Sequence, residues 1–154
     1  MAAELNKFVV RRFYEELWNK RNLSVADEIF AADCVTHQLQ SGTESEAVPR
    51  SPEAIKDHVA SWLAGFPDLR FSIERMVADA DHVVSRSIMH GTQRGVWNGL
   101  APTGKLVSIR MFVDHRIENG KIVEDWVLVE ALGFFQQLEL VPATREILSS
   151  SGRL

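Results

Sequence analysis

Arg110-Met-Phe-Val-Asp-His-Arg-Ile-Glu-Asn-Gly-Lys-Ile-Val-Glu-Asp-Trp-Val-Leu-Val-Glu130 reads as one β-hairpin that turns at Glu118-Asn119-Gly120. Two registers suit it. One is a two-residue type I′ turn on Asn119-Gly120; the other is a three-residue loop with Gly120 in the left-handed region and a bulge. Strand side chains alternate between faces, so odd and even positions separate. Val107, Ile109, Met111, Val113, His115, Ile117, Val123, Asp125, Val127 and Val129 form the odd set, apolar apart from His115 and Asp125. The even set carries Arg110, Asp114, Arg116 and Glu124 together with Phe112 and Trp126. The three-residue loop keeps odd opposite odd and sets Phe112 across from Trp126, a favourable aromatic pair. It is the preferred register, and it puts Val113 opposite Asp125 with His115 on the diagonal. An acid and an imidazole on an otherwise apolar face point to a small-molecule pocket.

Outward from the hairpin, the pattern changes from helical to extended. Leu5, Phe8, Val9, Phe13 and Leu17 recur at three- and four-residue spacing, which predicts an amphipathic helix over about residues 3–19. Ser24-Val-Ala-Asp27 resembles a capping signal for a short helix ending near Phe30. Asp33 to Leu39 is a candidate strand, and Gln40 to Arg50 reads as a mobile loop at the lip of a pocket. Ser51-Pro52-Glu53 starts a helix whose buried stripe is Ile55, Val59, Trp62, Leu63 and Phe66, and Pro67 ends it. From Leu69 the period is two: one strand from Phe71 to Met76, a turn at Ala78 to Asp81, and a return strand from Val83 to His90. Gly91 and Gly95 suggest a bulge or bend. Ala131 to Leu138 is a candidate closing helix. Helices first and a bent antiparallel sheet after give an α+β fold, with helices on one sheet face and a pocket enclosed.

The 154 residues suit one domain, divided as 1–140 for the domain and 141–154 for a loose or locally helical tail. The composition is 45% apolar and 25% charged, ordinary for a globular chain. A net charge of −4 with scattered Lys and Arg argues against nucleic-acid binding. No apolar run reaches membrane-span length, and no signal-peptide pattern is present. The single cysteine, Cys34, cannot form an internal disulfide; a reducing cytoplasm is the expected setting. No metal-ligand spacing, phosphate loop or nucleophile elbow is present, so neither metal nor cofactor is expected.

Several strings together resemble a known family. They are Val10-Arg-Arg-Phe-Tyr-Glu-Glu-Leu-Trp-Asn19, Phe66-Pro-Asp-Leu-Arg-Phe71, Gly99-Leu-Ala-Pro-Thr-Gly104, Glu118-Asn-Gly-Lys-Ile-Val-Glu-Asp-Trp126 and Leu132-Gly-Phe-Phe-Gln-Gln-Leu138. The chain resembles the SnoaL-like polyketide cyclases of the nuclear transport factor 2-like (NTF2-like) superfamily over roughly residues 5–140. The resemblance implies an α+β cone and a dimer through the convex sheet face. It also implies a hydrophobic pocket and ring closure by aldol chemistry without metal or cofactor. Other superfamily members are isomerases, dehydratases or plain binders, so the fold does not choose the reaction. The family's pocket acid falls at Val127 here, and a His, Asp or Asn of the family falls at Val113. The motif's central residue, often His, is Asp125.

The candidate catalytic residues are Asp125, His37 and His115. Asp125 is a desolvated acid or base. His37, where relatives often carry a His or Asn, is a donor to a substrate oxygen. His115 is a second proton partner, with an exposed edge histidine as its plain alternative. Trp62, Phe66, Trp97, Met111, Val113, Val127 and Glu130 are the candidate ligand contacts, although core packing is the default for the aromatics and a capping role for Glu130. His58 reads as the polar edge of a buried stripe. Phe112 and Trp126, with Arg110, are read as homodimer contacts. The expected activity is proton transfer beside a carbonyl of a hydrophobic oxygenated substrate: aldol cyclisation, isomerisation or dehydration. The alternative is a binding protein without turnover, favoured by Val113 and Val127.

Overall fold

The computed structural model describes residues 1–38 and 47–151. Helix α1 (Ala2–Arg12) runs directly into a π-helical segment (Phe13–Asn19), followed by α2 (Val25–Ile29), β1 (Phe30–Gln38) and β2 (Ala47–Pro49). Then come α3 (Pro52–Gly65), β3 (Arg70–Asp79), β4 (His82–Thr92), β5 (Leu106–Glu118), β6 (Lys121–Val129), α4 (Ala131–Gln137) and α5 (Thr144–Ser150). The six strands form one sheet in the order β2-β1-β6-β5-β4-β3. The α+β class is as expected. The sheet is mixed rather than wholly antiparallel, because β1 runs parallel to β6. Among the described residues no helix is long and apolar enough to cross a membrane.

The hairpin adopts neither register in pure form. Asn119 (φ 50°) and Gly120 (φ 74°) make the two-residue turn, so Glu118 faces Lys121 and Ile117 faces Ile122. Both central residues of a type I′ turn need positive φ, which Asn and Gly adopt at least cost. That turn alone would pair odd with even residues. One extra residue, Val123, bulges before Glu124 and restores odd opposite odd, so Arg116 faces Glu124 and His115 faces Asp125. The expected Phe112–Trp126 and Val113–Asp125 pairs are therefore corrected by one two-residue step. Phe112 faces Leu128, Asp114 faces Trp126, and Val113 faces Val127.

The first helix differs from its predicted stripe. Leu5 and Phe8 are exposed, while Val9, Val10, Tyr14, Leu17 and Trp18 are buried. The change begins within α1, where Val9 and Val10 rather than Leu5 and Phe8 are buried, and it continues through the π-helical segment, in which Lys20 N–H donates to the Glu15 carbonyl at 3.1 Å. Helix α3 follows the sequence closely. Ser51 Oγ accepts from Ala54 N–H at 3.2 Å, Pro52 opens the first turn, and Ile55 and Val59 are buried. Of the predicted loop Gln40 to Arg50, residues 40–46 lie outside the described residues. Ala47–Pro49 form a strand paired with Val35–His37 rather than loop. Gly95 is neither bulge nor strand bend. A Cβ there would lie 1.9 Å from the Ala64 carbonyl oxygen, so glycine is needed for the loop to close on the end of α3. The tail carries α5, which has no buried residue.

Candidate functional site

The helix-covered face of the sheet and the helices above it border a cavity with two adjoining lobes of about 60 and 80 Å³. Its mostly apolar lining with a few polar groups is that expected of a small-molecule site. Trp18, His58, Phe71, Met111 and Val127 border both lobes. The first lobe adds Tyr14, Thr36, Arg50, Val113 and Asp125. The second adds Trp62, Met89, Ile109 and Val129, and is nearly all apolar.

Asp125 is 5% exposed, and its carboxyl is pushed up to about 6 because burial penalises the charged form. A hydrogen bond from the Thr36 hydroxyl to Oδ1 and the positive charge of Arg50 act in the opposite direction without cancelling it. Thr36 reaches Asp125 because the parallel β1–β6 pairing makes them register partners. Arg50 follows β2, and its backbone N–H donates to the Cys34 carbonyl at 2.7 Å, which fixes the residue beside β1. Burial lowers the Arg50 guanidinium from its ordinary value, and the Asp125 charge opposes this. His58, one turn after Ile55 on α3, is lowered to about 4 by burial and by Arg50, so it is neutral at physiological pH. Tyr14 shares a 2.8 Å hydrogen bond with Ser85 of β4; burial is the main cause of its raised pKa.

The structure brings Asp125, Trp62, Met111, Val113 and Val127 to the cavity wall. It places the other candidates elsewhere. His37 points to the opposite, open face of the sheet, because it alternates with Thr36 on β1. There its Nε2 is 2.8 Å from Glu124 Oε1 and its ring stacks on Trp126 at 5.1 Å. His115 does face the helices, opposite Asp125, but it is fully buried below the cavity rather than exposed at an edge. The Phe13 ring packs edge-on against it at 5.2 Å, and neither of its nitrogens has a hydrogen-bond partner of normal geometry among the described residues. Burial lowers it to about 3, with the backbone of its cross-strand neighbour Val83 a smaller opposing influence. Phe66 is fully buried behind the second lobe. Trp97 is held in the core by Trp62 at 4.8 Å and by contact with Gly65. Glu130 is the N-cap residue of α4 and lies off the cavity.

Thr36, Arg50, His58, Tyr14 and Trp18 were not among the candidates. The strand reading of residues 33–39 carries the parity signal for Thr36: if His37 faces one way, Thr36 faces the other. Nothing local marks Tyr14 and Trp18, rather than Phe8, as inward-facing aromatics of this helix.

Helices packed on a six-stranded mixed sheet are the α+β architecture of the nuclear transport factor 2-like class. The SnoaL-like polyketide cyclase family matches residues 8–138, and the chain belongs to that family. A SnoaL-like protein from Jannaschia sp. CCS1, a proposed polyketide cyclase, is 20% identical with a TM-score of 0.77, covering 91% of this chain and 95% of that one. IdmH from Streptomyces antibioticus, also a proposed polyketide cyclase, is 26% identical with a TM-score of 0.73, covering 87% and 98%. AclR from Streptomyces galilaeus, a proposed hydroxylase, is 25% identical with a TM-score of 0.77, covering 91% and 99%. The comparison with curated proteins gave no match.

Proposed function

We propose that this chain is a cofactor-independent enzyme that moves a proton next to a carbonyl of a hydrophobic, oxygenated small molecule, with Asp125 as the acid/base. The observation that carries this reading is a carboxylate, raised to about 6, that stands as the single one among the described residues lining an otherwise mostly apolar cavity. A base of that strength is ionised at pH 7 yet close enough to neutrality to return the proton, the condition under which general acid–base catalysis works best. Asp125 takes a proton from carbon, the enolate attacks a second carbonyl or is reprotonated elsewhere, and the protonated Asp125 returns the proton to the product oxygen or carbon. The first course closes a ring by aldol chemistry, and the second isomerises. Trp62, Met111, Val113 and Val127 orient the ligand body.

A second reading, a binding protein without turnover, is favoured by Val113 and Val127, which face each other where the family pattern implies polar groups. One experiment separates the two. Small molecules retained by the purified protein are identified by mass spectrometry and then incubated with wild type and Asp125→Asn. Conversion by wild type alone supports the enzyme; a retained ligand unchanged by both supports the binder.

A homodimer through the open sheet face belongs to the same reading. Phe112, Leu128 and Val84 are exposed there beside Trp126, and Arg110 lies at the edge of the patch near Glu74. Phe112→Glu is expected to yield monomers in sedimentation velocity at concentrations where wild type sediments as a dimer. A cytoplasmic setting is consistent with Cys34, whose buried thiol is pushed up to about 12 and is unreactive.

A further inference from the structure

We infer that the ligand of this cavity carries a carboxylate, held by the guanidinium of Arg50 and the indole N–H of Trp18, with its apolar body in the second lobe. The inference rests on the reading of this cavity as the small-molecule site and adds the chemical class of what enters it.

Arg50 and Asp125 are the one fixed cation and the one carboxylate among the described residues lining the two lobes. They feel each other's charge, yet they do not form a direct ion pair. Asp125 instead takes the Thr36 hydroxyl. Neither group uses up the other's hydrogen-bonding capacity, and both line the first lobe. A guanidinium at an apolar wall is costly unless an anion meets it, and its planar fork matches a carboxylate with two parallel hydrogen bonds. Its position is fixed from both sides, by the hydrogen bond of its N–H to Cys34 and by Ser51, which caps α3 immediately after it.

A second, independent observation points the same way. Trp18 is 3% exposed, borders both lobes, and its Nε1–H has no hydrogen-bond partner among the described residues. Buried donors are almost always satisfied, and a ligand oxygen would satisfy this one. His58 is neutral and adjoins the same space, so it can donate to or accept from the ligand without adding charge. Beyond these groups the second lobe offers Trp62, Met89, Ile109 and Val129, a surface for an apolar body.

The test is calorimetric titration of 2-naphthoate and of its neutral amide, 2-naphthamide, at pH 7. Wild type is expected to bind the acid at least about tenfold more tightly, the usual worth of a charge-assisted hydrogen bond or more. Arg50→Gln removes that preference by weakening the acid alone, and Arg50→Lys, which keeps charge without the fork, leaves an intermediate preference. Equal affinity of acid and amide for wild type, binding of neither, or a preference that survives Arg50→Gln in a folded protein overturns the inference. If Arg50→Gln does not fold, the wild-type comparison and Arg50→Lys decide. Asp125→Asn separates this inference from the acid/base reading. Acid preference together with full turnover by Asp125→Asn would sink the catalytic role of Asp125 and leave the anion site standing. No preference, with Asp125→Asn inactive, would sink the anion site alone.

Discussion

Thr36 and His37 are neighbours in the chain, as are Glu124 and Asp125, yet the sheet divides each pair between its two faces. On the open face, His37 and Glu124 meet at 2.8 Å, and Trp126 lies stacked between His37 at 5.1 Å and His82 at 5.8 Å. There the polar groups answer one another. The hydrogen bond from His37 is the main cause that lowers the Glu124 carboxyl, with Arg116 assisting. On the helix-covered face Asp125 takes the Thr36 hydroxyl and forms no ion pair among the described residues, and burial rather than pairing sets its carboxyl at about 6. Two carboxylates adjacent in sequence are thus moved in opposite directions. A residue's chemistry here follows the face it occupies, because solvent stabilises charge on one face and is excluded from the other.

The largest expected effect tests that division directly. Asp125→Asn should lower turnover of a true substrate by about 10²–10⁴-fold, the usual range for a general acid or base. His37→Ala, one residue from Thr36 but on the open face, should leave kcat within about twofold of wild type if acid–base work resides on the covered face alone. Steady-state kinetics on the two variants would reverse the assignment if His37→Ala were the crippled one.

The next effect is on stability. Folded Asp125 has its pKa raised to about 6 from 3.8, so the fold binds its proton more readily than the unfolded chain does. The resulting penalty is absent below the unfolded pKa and complete above the folded one. Asp125→Asn should therefore be more stable than wild type at pH 7 by up to ~3 kcal/mol, with the gap closing as pH falls from 6 toward 3.8. Denaturant titrations at several pH values measure this.

His115 has the opposite sign. Its folded pKa is about 3 against 6.5, so the fold holds fewer protons, and stability is lost as pH falls below 6.5. His115→Leu replaces an imidazole with two unpartnered nitrogens by an apolar group of similar size. It should gain ~1–3 kcal/mol at pH 7, and more at pH 5. A loss of stability at both pH values would show that His115 has a partner in solution.

The smallest effect concerns Thr36→Val, a near-isosteric change at a residue 1% exposed. Removing the hydroxyl that bonds Asp125 should move the acid limb of the pH–rate profile modestly upward and leave stability nearly unchanged. A downward move would mean that Thr36 does not stabilise the ionised carboxylate.

Much of the molecule was legible in the chain. The capped start of α3 at Ser51-Pro52, the position of the hairpin turn at Glu118 to Gly120 though not its two-residue form, the closing helix after Glu130 and the separation of Asp125 from Glu124 all follow from local rules. Such rules need only a residue and its near neighbours: fixed φ at proline, positive φ at Asn-Gly, and the alternation of side chains along a strand. The resemblance to the SnoaL-like family supplied the fold from the order and spacing of several weak motifs, and Asp125 was the one candidate catalytic group that the structure places in the cavity wall.

The rest depended on long-range register. Whether Thr36 or His37 would face Asp125 turned on the parallel pairing of β1 with β6, between segments 89 residues apart. The bulge at Val123 set His115 opposite Asp125, and β2 carried Arg50 to the cavity wall out of a stretch that reads as loop. Along the first helix Val10, Tyr14 and Trp18 are buried, and Leu5 and Phe8 are not. In each case a shift of one residue in strand pairing or helix phase reverses which side chain is buried. Such a shift is selected by packing against elements distant in the chain, not by the residues that undergo it.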